Sequence, residues 1–177
     1  MSTQNYLLSG FGGQGILFAG KFLAYKGLTA GQQVSWLPSY GPEMRGGTAS
    51  CSVIVSDDPV GSPIVSNPDI LVAMNLPSLM KFVNDVVPGG HILVDSTLID
   101  AKVERTDVEV FYIPATQLAK DGGFTSLSNM VLLGKMMKEC DAVSFEGNKE
   151  TLETFIPAKK ANLIDVNCQA LQTGYDY

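Results

Sequence analysis

No aspartate or glutamate occurs before Glu43 in this chain of 177 residues. That gap deprives a nicotinamide-dinucleotide reading of its selectivity element, the acid about 20 residues beyond a glycine turn that holds the ribose hydroxyls. Cysteine is equally sparse. Cys51, Cys140 and Cys168 lie far apart with no C-x-x-C pair, which argues against a disulfide framework, a structural zinc site or an iron–sulfur cluster within the chain. A reduced, cytoplasmic protein is expected. The single histidine, His91, follows a Gly-Gly turn at the start of an apolar run and reads as structural. No apolar stretch reaches the roughly 18 residues of a membrane span. The N-terminal run lacks a preceding basic region, so it reads as a buried strand rather than a signal peptide. No nucleophile stands beside a general base, so no catalytic residue and no metal ligand is assigned.

What is present is a globular composition, 45% hydrophobic and 17% charged. The net charge of −6 argues against general nucleic-acid binding. It is unevenly spread. Residues 1–56 carry +2, from Lys21, Lys26 and Arg45 against Glu43, and the remainder carries −8. The first third is therefore the part suited to an anion.

Strand and helix signals alternate. Strands are predicted at Asn5–Ser9, Val34–Leu37, Ala49–Ser56, Asp69–Met74, His91–Asp95 and Glu109–Ile113. Helices are predicted at Ile16–Ala30, stopped by Gly31, and at Leu76–Val87, closed by Pro88-Gly89-Gly90. After Pro114 the pattern turns helical: Ala115–Lys120, Ser126–Cys140, Asn148–Phe155 and Lys159–Tyr175. Met130, Met136 and Met137 are expected in the core, and Cys51 inside an alternating strand is expected to pack rather than react. The whole, residues 1–177, is expected to be a single α/β domain with a mostly parallel sheet and a helical C-terminal third.

Two stretches carry the chemistry. Gly10-Phe11-Gly12-Gly13-Gln14-Gly15 fits G-x-G-x-x-G between a strand and a helix. Such a turn offers backbone N–H groups and a helix dipole to a phosphate. Without the ribose-binding acid, two readings stand. The glycines serve close packing, or they hold the phosphate of another ligand or a partner's cofactor. The second stretch, Leu37-Pro38-Ser39-Tyr40-Gly41-Pro42-Glu43-Met44-Arg45-Gly46-Gly47-Thr48, reads as a long polar loop after the second strand. Its Glu43 and Arg45 are either a solvated ion pair or, through the guanidinium fork, a clamp for carboxylate or phosphate.

Together, GFGGQG opening a helix and PSYGPEMRGG after the next strand resemble the gamma subunit of 2-oxoacid:ferredoxin oxidoreductases. Ile64-Val65 after Gly61-Ser62-Pro63, Pro68-Asp69, Asn75, Pro88-Gly89-Gly90 and Asp95-Ser96 extend the resemblance over nearly the whole chain. The resemblance implies a Rossmann-like, three-layer fold. It implies a chain that is non-catalytic alone and works beside alpha, beta and a ferredoxin-like delta subunit. The assembled enzyme would convert a 2-oxoacid and coenzyme A to acyl-CoA, CO2 and reduced ferredoxin, using thiamine diphosphate with Mg and [4Fe–4S] clusters. In fused relatives the gamma chain corresponds to one domain near the thiamine entrance, associated with coenzyme A access. Carried onto this chain, Gly10, Gly12, Gly13, Gln14, Gly15, Ser39, Tyr40, Gly41, Glu43, Arg45, Gly46 and Gly47 become the candidate cofactor-binding residues, with Gly12–Gly15 presenting backbone N–H groups. The motif text leans toward 2-oxoglutarate or branched-chain members. The rival readings are a pure assembly module without cofactor contacts and an independent nucleotide-binding oxidoreductase.

Overall fold

A computed structural model describes residues 3–41 and 47–177. Six strands form one sheet: β1 (Gln4–Phe11), β2 (Gln33–Tyr40), β3 (Thr48–Ser56), β4 (Ile70–Ala73), β5 (His91–Asp95) and β6 (Glu109–Ile113). Their spatial order is β2-β3-β1-β4-β5-β6. β1, β4, β5 and β6 pair in parallel, whereas β3 runs against both β1 and β2. Five strands thus point one way, and β3 alone is reversed.

The loops 10–15 and 39–47 are expected from the sequence at the C-terminal ends of neighbouring parallel strands, and the reversal of β3 corrects that expectation. The glycine turn and the segment after β2 do lie at C-terminal strand ends, but β1 and β2 are not neighbours, because β3 separates them. The connection from Tyr40 to Thr48 spans only residues 41–47. A parallel crossover needs a dozen residues or more, so a link this short must return the chain antiparallel. β2 also runs three residues beyond its expected end. Its Pro38 is tolerated because β2 is an edge strand, where a missing N–H costs no ladder bond.

The central strands are buried on both faces, and their side chains alternate between two cores. Tyr6, Leu8, Ile70, Val72 and Leu93 enter the larger core, together with Cys51, Val53 and Val55 of β3. Leu7, Leu71, Ala73, Ile92 and Val94 enter the smaller one. The larger core is covered by α1 (Ile16–Thr29), α3 (Ala115–Asp121), α4 (Ser128–Glu139), α5 (Asn148–Phe155) and α6 (Asn162–Asp176). The smaller is covered by α2 (Leu76–Phe82) and the segment around Val103. α2 stops well short of Val87, and Arg105 receives the chain that follows it. Its guanidinium donates to the carbonyls of Val83 and Val86 at 2.8 and 2.7 Å and forks onto Asp107. The C-terminal segment is two elements, a short 3-10 turn at Ala158–Lys160 and then α6. Met130 and Met136 are fully buried and Met137 nearly so, as core residues.

α4 and α6 cross at two glycines. A Cβ on Gly134 would sit inside the Leu171 carbonyl, 2.8 Å from its carbon, and one on Gly174 would sit inside the Val131 carbonyl, 2.7 Å from its carbon. The obstacles are backbone atoms, which cannot rotate away. Gly134→Ala and Gly174→Ala should each cost about 3 kcal/mol by overpacking, read as a fall in Tm of about 6–12 °C. Gly61→Ala, where a Cβ meets nothing within 4 Å, should stay within about 0.5 kcal/mol.

Candidate functional site

The turn after β1 is held open by its own side chains. Gln14 Oε1 accepts from the Phe11 N–H at 2.6 Å, and its Nε2 donates to the Met74 carbonyl at 3.0 Å. This one amide joins the C-terminal end of β1 to that of β4. Gly10 is the last but one residue of β1, and a Cβ there would lie 2.5 Å from Gln14 Oε1 and 3.0 Å from Met74 Cβ. Gly13 and Gly15 adopt φ of 99° and 76°, the left-handed region that favours glycine. Gly15 precedes α1, and its carbonyl accepts both Ala19 N–H at 3.0 Å and Asn129 Nδ2 at 2.9 Å. A Cβ on Gly15 would collide with that Asn129 amide.

Four N–H donors were expected to face a ligand, but two are already engaged. Gly12 N–H donates to the Gly47 carbonyl at 3.0 Å and Gln14 N–H to the Phe11 carbonyl at 3.2 Å. The first bond joins the two glycine segments directly. Among the described residues, the N–H groups of Gly13 and Gly15 have no hydrogen-bond acceptor, and the first turn of α1 adds the free donors that every helix start leaves. They border an opening of about 290 Å³ between Phe11, Ile16, Phe18, Tyr40 and Ala49.

Ser39 and Tyr40 are strand residues rather than loop residues, paired with Ser50 and Ala49. Tyr40 is 52% exposed and reaches both this opening and a second of about 210 Å³ on the other side of the sheet edge. Ser39, Gly41, Thr48, Ser50, Ser78 and Lys81 contribute to the second. Gly41 N–H donates to the Thr48 carbonyl at 3.1 Å, closing the base of the β2–β3 link. Glu43, Arg45 and Gly46 lie outside the described residues.

The positive charge of the first third does not gather at the glycine turn. Lys21 lies over the rings of Tyr25 and Phe155 at 5.9 and 5.5 Å. Lys26 is buried in the last turn of α1, where it donates to the Glu146 carbonyl and where burial lowers its pKa. Ten residues of helix, about 15 Å, separate it from Ile16. Lys81, on α2, is the described cation that does border the openings. Sequence reasoning missed Lys81, Asn129 and Ser78. Lys81 lies in the last turn of the short helix that follows β4, and its readable signal was only that this helix leaves a strand end of the kind that binds ligands in open α/β sheets.

The remaining candidates are structural. His91 opens β5 with Nδ1 3.5 Å from the Glu109 carboxylate on β6. Asp95 is buried and accepts from Thr116 Oγ1 at 2.6 Å and from Thr97 N–H at 3.1 Å, tying β5 to α3. Among the described residues, no three of His, Cys, Asp and Glu converge as a metal-ligand set. No helix among them is long and apolar enough to cross a membrane.

An α/β sheet with openings at its C-terminal strand edge, beside a glycine turn, belongs to the doubly wound class, in which that edge is where ligands bind. Residues 5–177 match the family model described as pyruvate ferredoxin/flavodoxin oxidoreductase, and the chain belongs to that family. It is 42% identical over 171 residues to ketoisovalerate oxidoreductase subunit VorA of Methanothermobacter thermautotrophicus, covering 96% of this chain and 35% of that protein. The chain thus spans about a third of that relative's length. The gamma subunit of a keto/oxoacid ferredoxin oxidoreductase from Geobacter sulfurreducens superposes with a TM-score of 0.80 at 30% identity, covering 98% of this chain and 96% of that one. A 2-oxoglutarate:ferredoxin oxidoreductase from Magnetococcus marinus, solved with 2-oxoglutarate, coenzyme A and succinyl-CoA bound, shares the fold. Its TM-score is 0.87 at 24% identity, over 99% of this chain and 31% of that one.

Two predictions arise from this site. Gly15→Ala should destabilise the chain by about 1–3 kcal/mol through backbone strain and the Asn129 collision. Hydrogen exchange should report the loss first at residues 12–18. Burial pushes the thiols of Cys51 and Cys140 up to about 12. At pH 8 a thiol reagent should therefore titrate one thiol in the native chain, the less buried Cys168, at a rate slowed by the burial that raises its pKa too, and three once the chain is denatured. The unfolded chain loses those two protons near pH 9 while the fold keeps them, so stability should decline between pH 9 and about 12.

Proposed function

We propose that this chain is the gamma subunit of a 2-oxoacid:ferredoxin oxidoreductase and that its C-terminal sheet edge borders the path of coenzyme A. The observation that carries this reading is the opening of about 290 Å³ whose rim includes Gly13, Gly15 and the start of α1. Backbone N–H groups at a helix start with flanking glycines suit the phosphates of coenzyme A, and the flanking Phe11, Phe18 and Tyr40 suit its less polar arm. Arg45 is the complementary cation. Arg105, the other arginine, is committed to Asp107 and the end of α2. When bound, coenzyme A supplies the thiol that accepts the acyl group. This chain's own residues only hold and orient it. Thiamine diphosphate, Mg and the [4Fe–4S] clusters belong to alpha, beta and delta partners, and ferredoxin takes the electrons. The whole chain acts as one domain in the cytoplasm. The 2-oxoacid is of the branched-chain or 2-oxoglutarate type, supported by the likeness to the ketoisovalerate subunit.

A second reading, an assembly module whose loops meet only partner chains, is favoured by a different observation. Phe11, Tyr40, Leu76 and Leu98 are exposed apolar residues, 38–52% accessible, at or just after the C-terminal ends of β1, β2, β4 and β5. Such a rim is the kind that a partner covers. Arg45→Ala separates the two readings. Coenzyme A binding through the guanidinium predicts an apparent KM for coenzyme A raised about 10- to 100-fold, with subunit stoichiometry unchanged. Loss of subunits with an unchanged KM in the surviving complex would support the assembly reading.

A further inference from the structure

A cavity of about 600 Å³ lies at the opposite end of α1 from the glycine turn. Its walls come from the last turn of α1, the turn into β2, the residue after β3, and residues 142–151, which lead into α5. Its size is that of a small-molecule site.

Three features define its chemistry. First, Lys26 lines it although only 6% of that residue is exposed. An ammonium carries three donors, and the Glu146 carbonyl takes one of them. Among the described residues, the other two meet no acceptor and Lys26 forms no ion pair. A buried cation left in that state favours an anion brought to it. Second, Glu146 and Glu150 line the same cavity, and neither forms an ion pair among the described residues. Glu150 Oε2 and Lys26 Nζ stand 3.9 and 4.0 Å from the point that a Cβ on Gly147 would occupy, and no atom beyond the adjoining residues is closer to it. The two heads therefore border one open space. Burial lowers the Lys26 pKa, and the Glu150 and Glu146 carboxylates raise it, so both acids act on this amine. The remaining acid, Asp57, is held by Gln32 Nε2 at 3.1 Å. Third, Ala30, Ala142 and Val143 add an apolar wall.

These charges select the occupant. A plain anion would meet two carboxylates, and a plain cation would meet Lys26. A small molecule that carries both charges side by side meets each with its opposite. We propose that this cavity binds a zwitterionic α-amino acid with a small aliphatic side chain. Its carboxylate takes the spare donors of Lys26, its ammonium donates to Glu150 and Glu146, and its side chain rests on Ala30, Ala142 and Val143. The cavity is about 15 Å of helix away from the glycine turn. This assignment rests on the cavity's own charges and stands apart from the coenzyme A reading.

The test is a titration of the 15N-labelled full chain with L-valine at pH 7, followed by amide NMR. Two matched probes each lack one charge: L-valinamide has no carboxylate, and 3-methylbutanoate has no ammonium. L-valine should give saturable shifts at residues 26–32 and 142–151. Each probe should bind about tenfold more weakly or worse, the loss expected when a hydrogen bond to a charged group is removed and its partner is left unpaired. Lys26→Met, which keeps the length of the stem and removes the donors, should weaken L-valine to a similar degree without weakening L-valinamide. The comparison of the three compounds on the unaltered chain decides the matter even if that variant folds poorly. Equal affinity for L-valine and either probe, shifts confined to other residues, or no saturable shift up to the solubility limit would overturn the assignment.

Discussion

The amide of Gln14 joins the ends of two parallel strands, and the geometry of the C-terminal sheet edge depends on that join. It accepts from Phe11 and donates to Met74, so β1 and β4 end in register. The glycines beside it follow from this constraint. Gly10 leaves room for Gln14 Oε1, and Gly13 and Gly15 supply the left-handed backbone that turns the chain into α1. Gly47 accepts from Gly12 and Asn129 from α4 bonds to Gly15, so the turn is tied on three sides. A turn fixed in this way is ordered by its own contacts, so any ligand or partner that met it would not have to order a loop.

This arrangement gives two of the glycines the packing role that the motif left open. Gly10 and Gly15 serve close packing, since a side chain on either would strike Gln14 or Asn129. A Cβ on Gly13 would meet nothing within 4 Å. Its need is conformational, and it stands at the rim of the opening. Packing contacts and an open rim are therefore divided along the motif. The same division runs through the rest of the chain. α4 and α6 cross tightly at Gly134 and Gly174, and Asn129 carries the position of α4 to the turn.

Much of the fold was legible in the sequence. The bounds of β5, β6 and α5, and nearly those of α1, followed from apolar runs closed by turn residues, because those elements are buried and strongly patterned. Strand direction was harder. β3 alternates like any half-buried strand, and its reversal shows only in the short link from Tyr40 to Thr48. β2 reached Tyr40 despite Pro38 because an edge strand forgives a missing donor. At the site, the glycine turn could be read from its spacing, whereas its ties could not. Asn129 lies more than a hundred residues away, and nothing local marks it as a partner of Gly15. Lys21 and Lys26 looked like anion-binding charge in sequence, but helix α1 carries one to a ring contact and the other into the interior.

The central claim is that this chain works as the gamma subunit of a larger oxidoreductase. An anaerobic purification of the tagged chain from its native host tests it most directly. The account predicts that larger chains co-purify, with the broad visible absorbance of iron–sulfur clusters and bound thiamine diphosphate. The purified complex should reduce ferredoxin when given a 2-oxoacid and coenzyme A. A lone, colourless chain that yields no such activity would contradict it.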